Sequence, residues 1–333
     1  MIEPKAIMFC SEFMARAENY SQSYSSNNQV MFGNHTLNLR INRKSEFGEL
    51  ILGSFIQKDS PEDMFRLDIW DSEFPFSIPD HSWSVPYQHT HTPVPFEITD
   101  PYRVYFDSSQ GMIYVYDTEN RIGSIWLRHS WELDIRCFIT PFKLMLSWMA
   151  LSINAEILHA SAAQIGGKGF IFGGPSGSGK STLALYAALS GNKILSDDTV
   201  LYDSGEVFAI YSRLKLNKDN PLINFDEIEK EVVPFNFEGK LTAPLKQFGV
   251  NFVTQFRLDA IALPIIAHLS FMAPLSNSDA EHLFISQSLR EIFGGQEQNI
   301  HQIKEIISKH DKYRLALSGG LERDFELLHS RTS

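Results

Sequence analysis

Eight residues in the middle of the chain, Gly174-Pro175-Ser176-Gly177-Ser178-Gly179-Lys180-Ser181, set three glycines, three serines and a lysine behind the apolar run Phe170-Ile171-Phe172. Their spacing is G-x-x-x-x-G-K-[ST], the pattern of a loop that wraps phosphate. The residue types follow from that task. Backbone N–H groups must converge on phosphate oxygens, and residues without bulky side chains let the backbone come that close. Lys180-Ser181-Thr182 then opens an expected helix, whose first turn offers N–H groups and a positive dipole end to an anion. Lys180 can reach a β- or γ-phosphate, and the Ser181 hydroxyl can hold Mg2+. A glycine turn that binds nothing is the alternative. The strand signal before the loop and the helix signal after it argue against that.

Two carboxylates follow soon after. Lys193-Ile194-Leu195-Ser196 reads as a β run that ends in Asp197 and Asp198. Strand ends beside a phosphate loop are where ligands sit in α/β sheets. Adjacent acids there can divide labour, one on Mg2+ and one taking a proton from an attacking hydroxyl. Two solvated acids opening a turn would look the same in sequence. His159, inside Ile157-Leu158-His159-Ala160-Ser161, is read on a strand, either as a core histidine with a satisfied hydrogen bond or as a member of the site. Arg213, Lys215 and Lys240 are candidates for transition-state charge or acceptor binding, against the plain reading of solvated surface charges.

Residues 155–205 resemble the catalytic domain of the HPr kinase/phosphorylase family. That family joins a strand histidine, a hairpin, a phosphate loop, a helix and a strand ending Asp-Asp in this order. The chain is similar above all to the HPr-kinase-like serine kinases of peptide-modification clusters, lasso-peptide clusters included. Those share the loop ending Gly-Lys-Ser-Thr and a Ser-Asp-Asp strand. Weaker similarity runs through 211–216, 239–245 and 313–317. HPr kinases proper carry glutamate where this chain has Thr182, and their Arg-Gly-Leu-Gly segment has no counterpart here. The resemblance implies a mixed α/β sheet of the HPr-kinase/PEP-carboxykinase type, built around a P-loop and flanked by helices. It implies ATP and Mg2+ as cofactors, with residues 174–182 on the nucleotide and Ser181 and Asp198 on the metal. It makes Asp197 the base that activates the acceptor hydroxyl, sets Asp198 and His159 beside the phosphates, and points to a peptide or protein serine as acceptor.

These residues need a frame, and the second half of the chain reads as one. Glu156–Ile165 and Gly167–Gly174 look like two strands that turn at Gly166-Gly167-Lys168-Gly169. Lys180–Ser190 is rich in helix formers, and Gly191 stands where a C-terminal cap belongs. Lys193–Tyr202 and Glu206–Ser212 read as a strand pair turning at Asp203-Ser204-Gly205. Helical spacing of Leu, Ile and Phe marks 281–293 and 299–310, and 313–317 is a last strand. Residues 141–153 are expected to be an apolar helix that joins the halves, with Pro141 in its first turn.

Residues 1–140 read as a β-rich N-terminal domain and 141–333 as the domain of the phosphate loop. A hairpin is expected over 103–117, with a further strand from 121. The proline-rich stretch 73–96 excludes helix, and its Phe74, Phe76, Trp83, Tyr87 and Phe96 either read an acceptor or pack their own core. His81 with His89 and His91 is a weak metal candidate. Asn217–Asn220 misses the guanine-reading spacing, and Leu317–Glu322 resembles a transporter ATPase signature but reads as a turn.

The 333 residues carry a formal net charge of −11, which argues against a nucleic-acid partner. Two cysteines make no disulfide framework, and neither a signal peptide nor a membrane span is evident. The expectation is a cytoplasmic, ATP- and Mg2+-dependent kinase acting on a hydroxyl-bearing peptide or small molecule, with a homo-oligomer left open. A kinase of free serine or a sugar is the second reading. A nucleotide-gated binding module with little turnover is the third.

Overall fold

The structure, a computed structural model, describes residues 4–21, 27–41, 51–58, 65–71, 101–107, 111–127, 140–217, 220, 222, 240–291 and 296–330. The proline-rich stretch 73–96 with its aromatics and histidines, Cys137, and Lys218 and Asp219 of the 217–220 motif lie outside them. The chain divides into two units, Met1–Ile153 and Asn154–Glu291 with Gln296–Ser333. Among the described residues no helix is long and apolar enough to cross a membrane.

In the first unit helix α1, Pro4–Ser21, precedes strands β1 (Asn27–Phe32), β2 (His35–Ile41), β3 (Phe65–Asp71), β4 (Tyr102–Asp107), β5 (Met112–Asp117) and β6 (Ile122–Leu127). The strands form one sheet in the order β1-β2-β3-β6-β5-β4. The expected hairpin is β4–β5, with Tyr102 opposite Asp117 and Asp107 opposite Met112. Helix α1 was not expected. Its Phe9, Cys10, Phe13 and Ala17 lie at helical spacing and pack with Trp70, Val104, Ile113, Val115 and Trp126 into one core. Four charges of this unit form one cluster. Buried Asp68 takes Arg40 through both oxygens at 2.6 and 2.8 Å, and Arg66 reaches it at 3.4 Å. Glu18 joins the same two arginines. Helix α2, Lys143–Leu151, also falls in this unit and is almost wholly buried. It starts later than expected. Phe142 precedes it in the left-handed region at φ 61°, so Pro141 stands outside the first turn.

The second unit is mixed α/β. Strands β7 (Glu156–Leu158), β8 (Ser161–Ile165) and β9 (Lys168–Phe172) lead to helix α3, Lys180–Leu189. Strands β10 (Lys193–Ser196), β11 (Val200–Asp203), β12 (Glu206–Ala209), β13 (Arg213–Asn217) and β14 (Lys240–Pro244) follow. Next come β15 (Asn251–Phe252), β16 (Gln255–Arg257), β17 (Ala260–Ile266) and β18 (Phe271–Pro274). Helices α4 (Asn277–Glu291) and α5 (Gln296–Lys309), strand β19 (Asp311–Leu317) and helix α6 (Leu321–His329) complete the unit. A seven-stranded sheet runs β15-β10-β8-β9-β17-β19-β18, a four-stranded sheet runs β16-β12-β11-β7, and β13 and β14 form a separate ribbon. Leu183, Ala184, Ala187 and Ala188 make a helical stripe on α3 and share a core with Phe172, Ile194, Leu214, Leu315 and Leu317.

Two stretches read as single strands are each two strands in different sheets. Between β7 and β8 the chain turns at His159, where the Ala160 N–H donates to the Leu158 carbonyl at 3.1 Å, a three-residue turn. His159 therefore sits at a corner, not on a strand. Between β10 and β11 the Ser196 hydroxyl makes the turn. It donates to the Thr199 carbonyl at 2.8 Å and accepts from the N–H groups of Asp198 and Thr199 at 3.4 and 3.3 Å. Asp197 and Asp198 occupy that turn. Since β10 pairs with β8 and β11 pairs with β7, the two corners lie side by side.

Candidate active site

The glycine-rich loop joins the end of β9 to α3. The Gly173 N–H still donates to the Ala262 carbonyl at 3.1 Å, so the sheet carries the chain up to the loop. A Cβ on Gly173 would stand 2.1 Å from the Phe284 ring, so only glycine lets α4 pack there. Within the loop the Ser178 N–H donates to the Pro175 carbonyl at 3.2 Å. Gly179 at φ 100° is the cap of α3 and has no side chain to occupy the first turn. The Gly179 carbonyl accepts the Leu183 N–H, which starts the helix. The first-turn N–H groups of Lys180, Ser181 and Thr182 therefore have no acceptor within the helix.

Lys180 is buried and lies across the loop, donating to the carbonyls of Gly174 at 2.7 Å and Pro175 at 3.0 Å. Pro175, Ser176 and Gly177 are exposed, Gly174 and Ser178 are buried, and Ser181 and Thr182 are half-buried. The Ser178 hydroxyl has no hydrogen-bond partner among the described residues. A buried donor without a partner, a lysine folded onto loop carbonyls and an uncapped helix start all fit a polyphosphate.

The acids sit at the second corner. Asp197 is buried, and its two ends face different ways. Its main-chain carbonyl accepts the hydroxyls of Ser161 at 2.5 Å and Ser181 at 3.1 Å. Its carboxylate accepts the Lys215 main-chain N–H at 2.6 Å. Burial raises the Asp197 carboxyl to about 7, the Asp198 charge adds to this, and the Lys215 N–H works against it. Asp198 accepts the Thr199 hydroxyl at 2.8 Å, faces His159 Nδ1 at 3.7 Å and lies 3.9 Å from Lys215 Nζ.

Of the residues singled out in the sequence, the structure thus brings His159, Asp198 and Lys215 together. It ties Ser181 to Asp197 through a carbonyl, not a carboxylate. Lys240 is placed only by its register opposite Asn217. Ser161 was missed, because its partner lies 36 residues away across a pair of strands. Among the described residues no group of three or more His, Cys, Asp or Glu could hold a metal alone. Mg2+ commonly binds through one or two carboxylates plus phosphate oxygens, and Asp198 with the Ser181 hydroxyl could supply the protein share.

No protein-family model and no curated protein matches the chain. Among solved structures it is similar to the HPr(Ser) kinase/phosphatase from Coxiella burnetii, at 12% identity and a TM-score of 0.29, over 53% of this chain and 95% of that one. A likeness this weak fixes neither fold nor chemistry.

Proposed function

We propose that this chain is an ATP- and Mg2+-dependent kinase that phosphorylates a hydroxyl, with a peptide or protein serine as acceptor. Asp197 carries the reading. Its buried carboxyl is raised to about 7, and its main-chain carbonyl accepts the Ser181 hydroxyl from the first turn of the loop helix. A general base works best with a pKa near the working pH, and this one is next to a candidate phosphate loop. The order of motifs over 155–205 supports the same chemistry, and the serine acceptor rests on that resemblance.

The loop from Gly174 to Thr182 would hold the nucleotide phosphates, with Lys180 moving from the Gly174 and Pro175 carbonyls onto them. Ser181 and Asp198 would hold Mg2+. When bound, the metal–nucleotide pair supplies the phosphoryl group and its leaving group. Asp197 orients the acceptor hydroxyl and takes its proton on the carboxylate. His159, 3.7 Å from Asp198, would lie with it beside the phosphates.

The test is ADP release with and without serine peptides, free serine and sugars. Asp197→Asn is expected to cost about 10²-fold or more in acceptor-dependent release and to keep ATP affinity within a few-fold. Equal rates in the two proteins would remove Asp197 from the chemistry. Nucleotide binding without release under any acceptor would favour the binding-module reading.

A further inference from the structure

We infer that the polar face of the β13–β14 ribbon binds an oxyanion on the acceptor, with Arg213 as its anchor and Lys215 and Thr242 beside it. This rests on the kinase reading and adds the acceptor's chemical class: a hydroxyl compound that also carries a carboxylate or similar oxyanion.

The first step concerns direction. The Asp197 carbonyl faces Ser161 and the loop-helix Ser181, whereas its carboxylate faces the Lys215 N–H on β13. A hydroxyl that gives its proton to that carboxylate must approach from the ribbon side. What the ribbon presents there therefore helps to choose the acceptor.

The second step concerns which side chains face it. Leu214 points into the apolar core with Leu183 and Leu245. Strand alternation puts Arg213 and Lys215 on the opposite face, and Lys215 Nζ does reach the acid pair, 3.9 Å from Asp198. Thr242 stands opposite Lys215 in the antiparallel register, so their side chains share that face.

Two polar groups on this face are left without partners among the described residues. Arg213 is half-buried, and burial alone lowers its pKa, with no carboxylate acting against it. Its guanidinium stays charged and has no ion-pair partner among the described residues. The Thr242 hydroxyl is buried and has no hydrogen-bond partner among them either. A cation withdrawn from water and an orphaned hydroxyl on one face are both costly alone, and both are answered by one oxyanion.

The experiment keeps the loop filled with a non-hydrolysable ATP analogue and Mg2+, and titrates matched pairs by calorimetry. One pair is L-serine and serinamide. The other is a short blocked peptide containing Ser-Asp and its Ser-Asn twin. In one or both pairs the anionic member is expected to bind about tenfold or more tightly than its neutral twin. Which pair shows the larger ratio distinguishes a small-molecule source from a peptide. Arg213→Gln should abolish the preference and Thr242→Val should reduce it, with the analogue affinity of both unchanged.

Equal binding of the twins to the unmodified protein, or no binding of either, overturns the inference without reference to any variant. A preference that survives Arg213→Gln also overturns it. So does a variant that loses the analogue instead, because Arg213 would then belong to the phosphates. Failure of the unmodified protein to bind the analogue would overturn the kinase reading and this inference with it. Analogue binding without acceptor preference overturns this inference alone.

Discussion

Two groups of buried charge, one in each unit, are met in opposite ways. In the first, Asp68 is fully buried and is met by Arg40 and Arg66, which Glu18 also binds. Every one of these charges has a counter-charge. In the second unit Asp197 is buried against another acid and a main-chain N–H, and Arg213 is half-buried without an acid. Glu156, buried on β7, is met by the Asn299 amide at 2.7 Å and not by a cation, and burial raises it to about 8. Paired buried ions are expensive to break but have nothing left to offer a ligand. Unanswered ones cost stability in the empty protein, and their shifted pKa values and open partners are left for a ligand or for chemistry. The contrast supports, without appeal to motif, the proposal that the site lies in the second unit.

The contrast can be broken most sharply through stability. Asp68→Asn leaves Arg40 and Arg66 short of a counter-charge and should cost about 3–5 kcal/mol in urea unfolding of the first unit. Asp197→Asn, at a site nearly as buried, should leave stability at pH 8 unchanged or raised, because it removes a carboxylate that folding buries beside Asp198 without a cation hydrogen-bonded to it. Equal losses in the two would erase the distinction.

Glu156 gives the next largest effect. Its folded pKa, about 8, lies above the ordinary 4.5, so the folded state binds the extra proton between those values. Its contribution is full below about 4.5 and is lost as pH rises through about 8. Glu156→Gln should flatten that slope and stabilise the protein above pH 8, by thermal unfolding, on the order of a few kcal/mol. Asp197 leaves a slope below about pH 7 in either protein, so an unchanged slope between about pH 7 and 8 is the result that would remove Glu156 from this role.

Asp197 should govern rate as Glu156 governs stability. A base must be unprotonated, so acceptor-dependent ADP release should rise about tenfold per pH unit below about 7 and level off above it. A rate flat from pH 5.5 to 8 would separate the release from this carboxyl. The smallest effect belongs to the loop. Gly179→Ala meets both φ 100° and the Leu317 side chain at 2.7 Å, whereas Gly177→Ala at φ 81° meets open space. Thermal melts should show losses of about 1–2 kcal/mol and about 1 kcal/mol, respectively.

Much of this was legible in local pattern. The loop between strand and helix, Gly191 at φ 83° past the end of α3, and the turn at Ser204-Gly205 between β11 and β12 all follow from residue types that demand one backbone geometry. Helices α1 and α6 had their signal in Phe9, Phe13 and Ala17 and in Leu321, Phe325 and Leu328, but short polar runs between these residues masked it. The division of 156–165 and 193–203 between two sheets was not legible. Continuous apolar runs say that a strand is buried, not which sheet it joins. For the same reason Asp197 could be named as a candidate base, but its two-sided contacts with Ser161, Ser181 and Lys215 could not. They arise from corners that lie far apart in sequence.

In the proposed kinase, nucleotide binding and proton transfer belong to separate residues on either side of the Asp197 corner. Calorimetric titration of ATP with Mg2+ into the unmodified protein, Lys180→Ala and Asp197→Asn tests it without any knowledge of the acceptor. The unmodified protein should bind, Lys180→Ala should lose about tenfold or more, and Asp197→Asn should stay within a few-fold. Unchanged affinity in Lys180→Ala, or an equal loss in both variants, would contradict it.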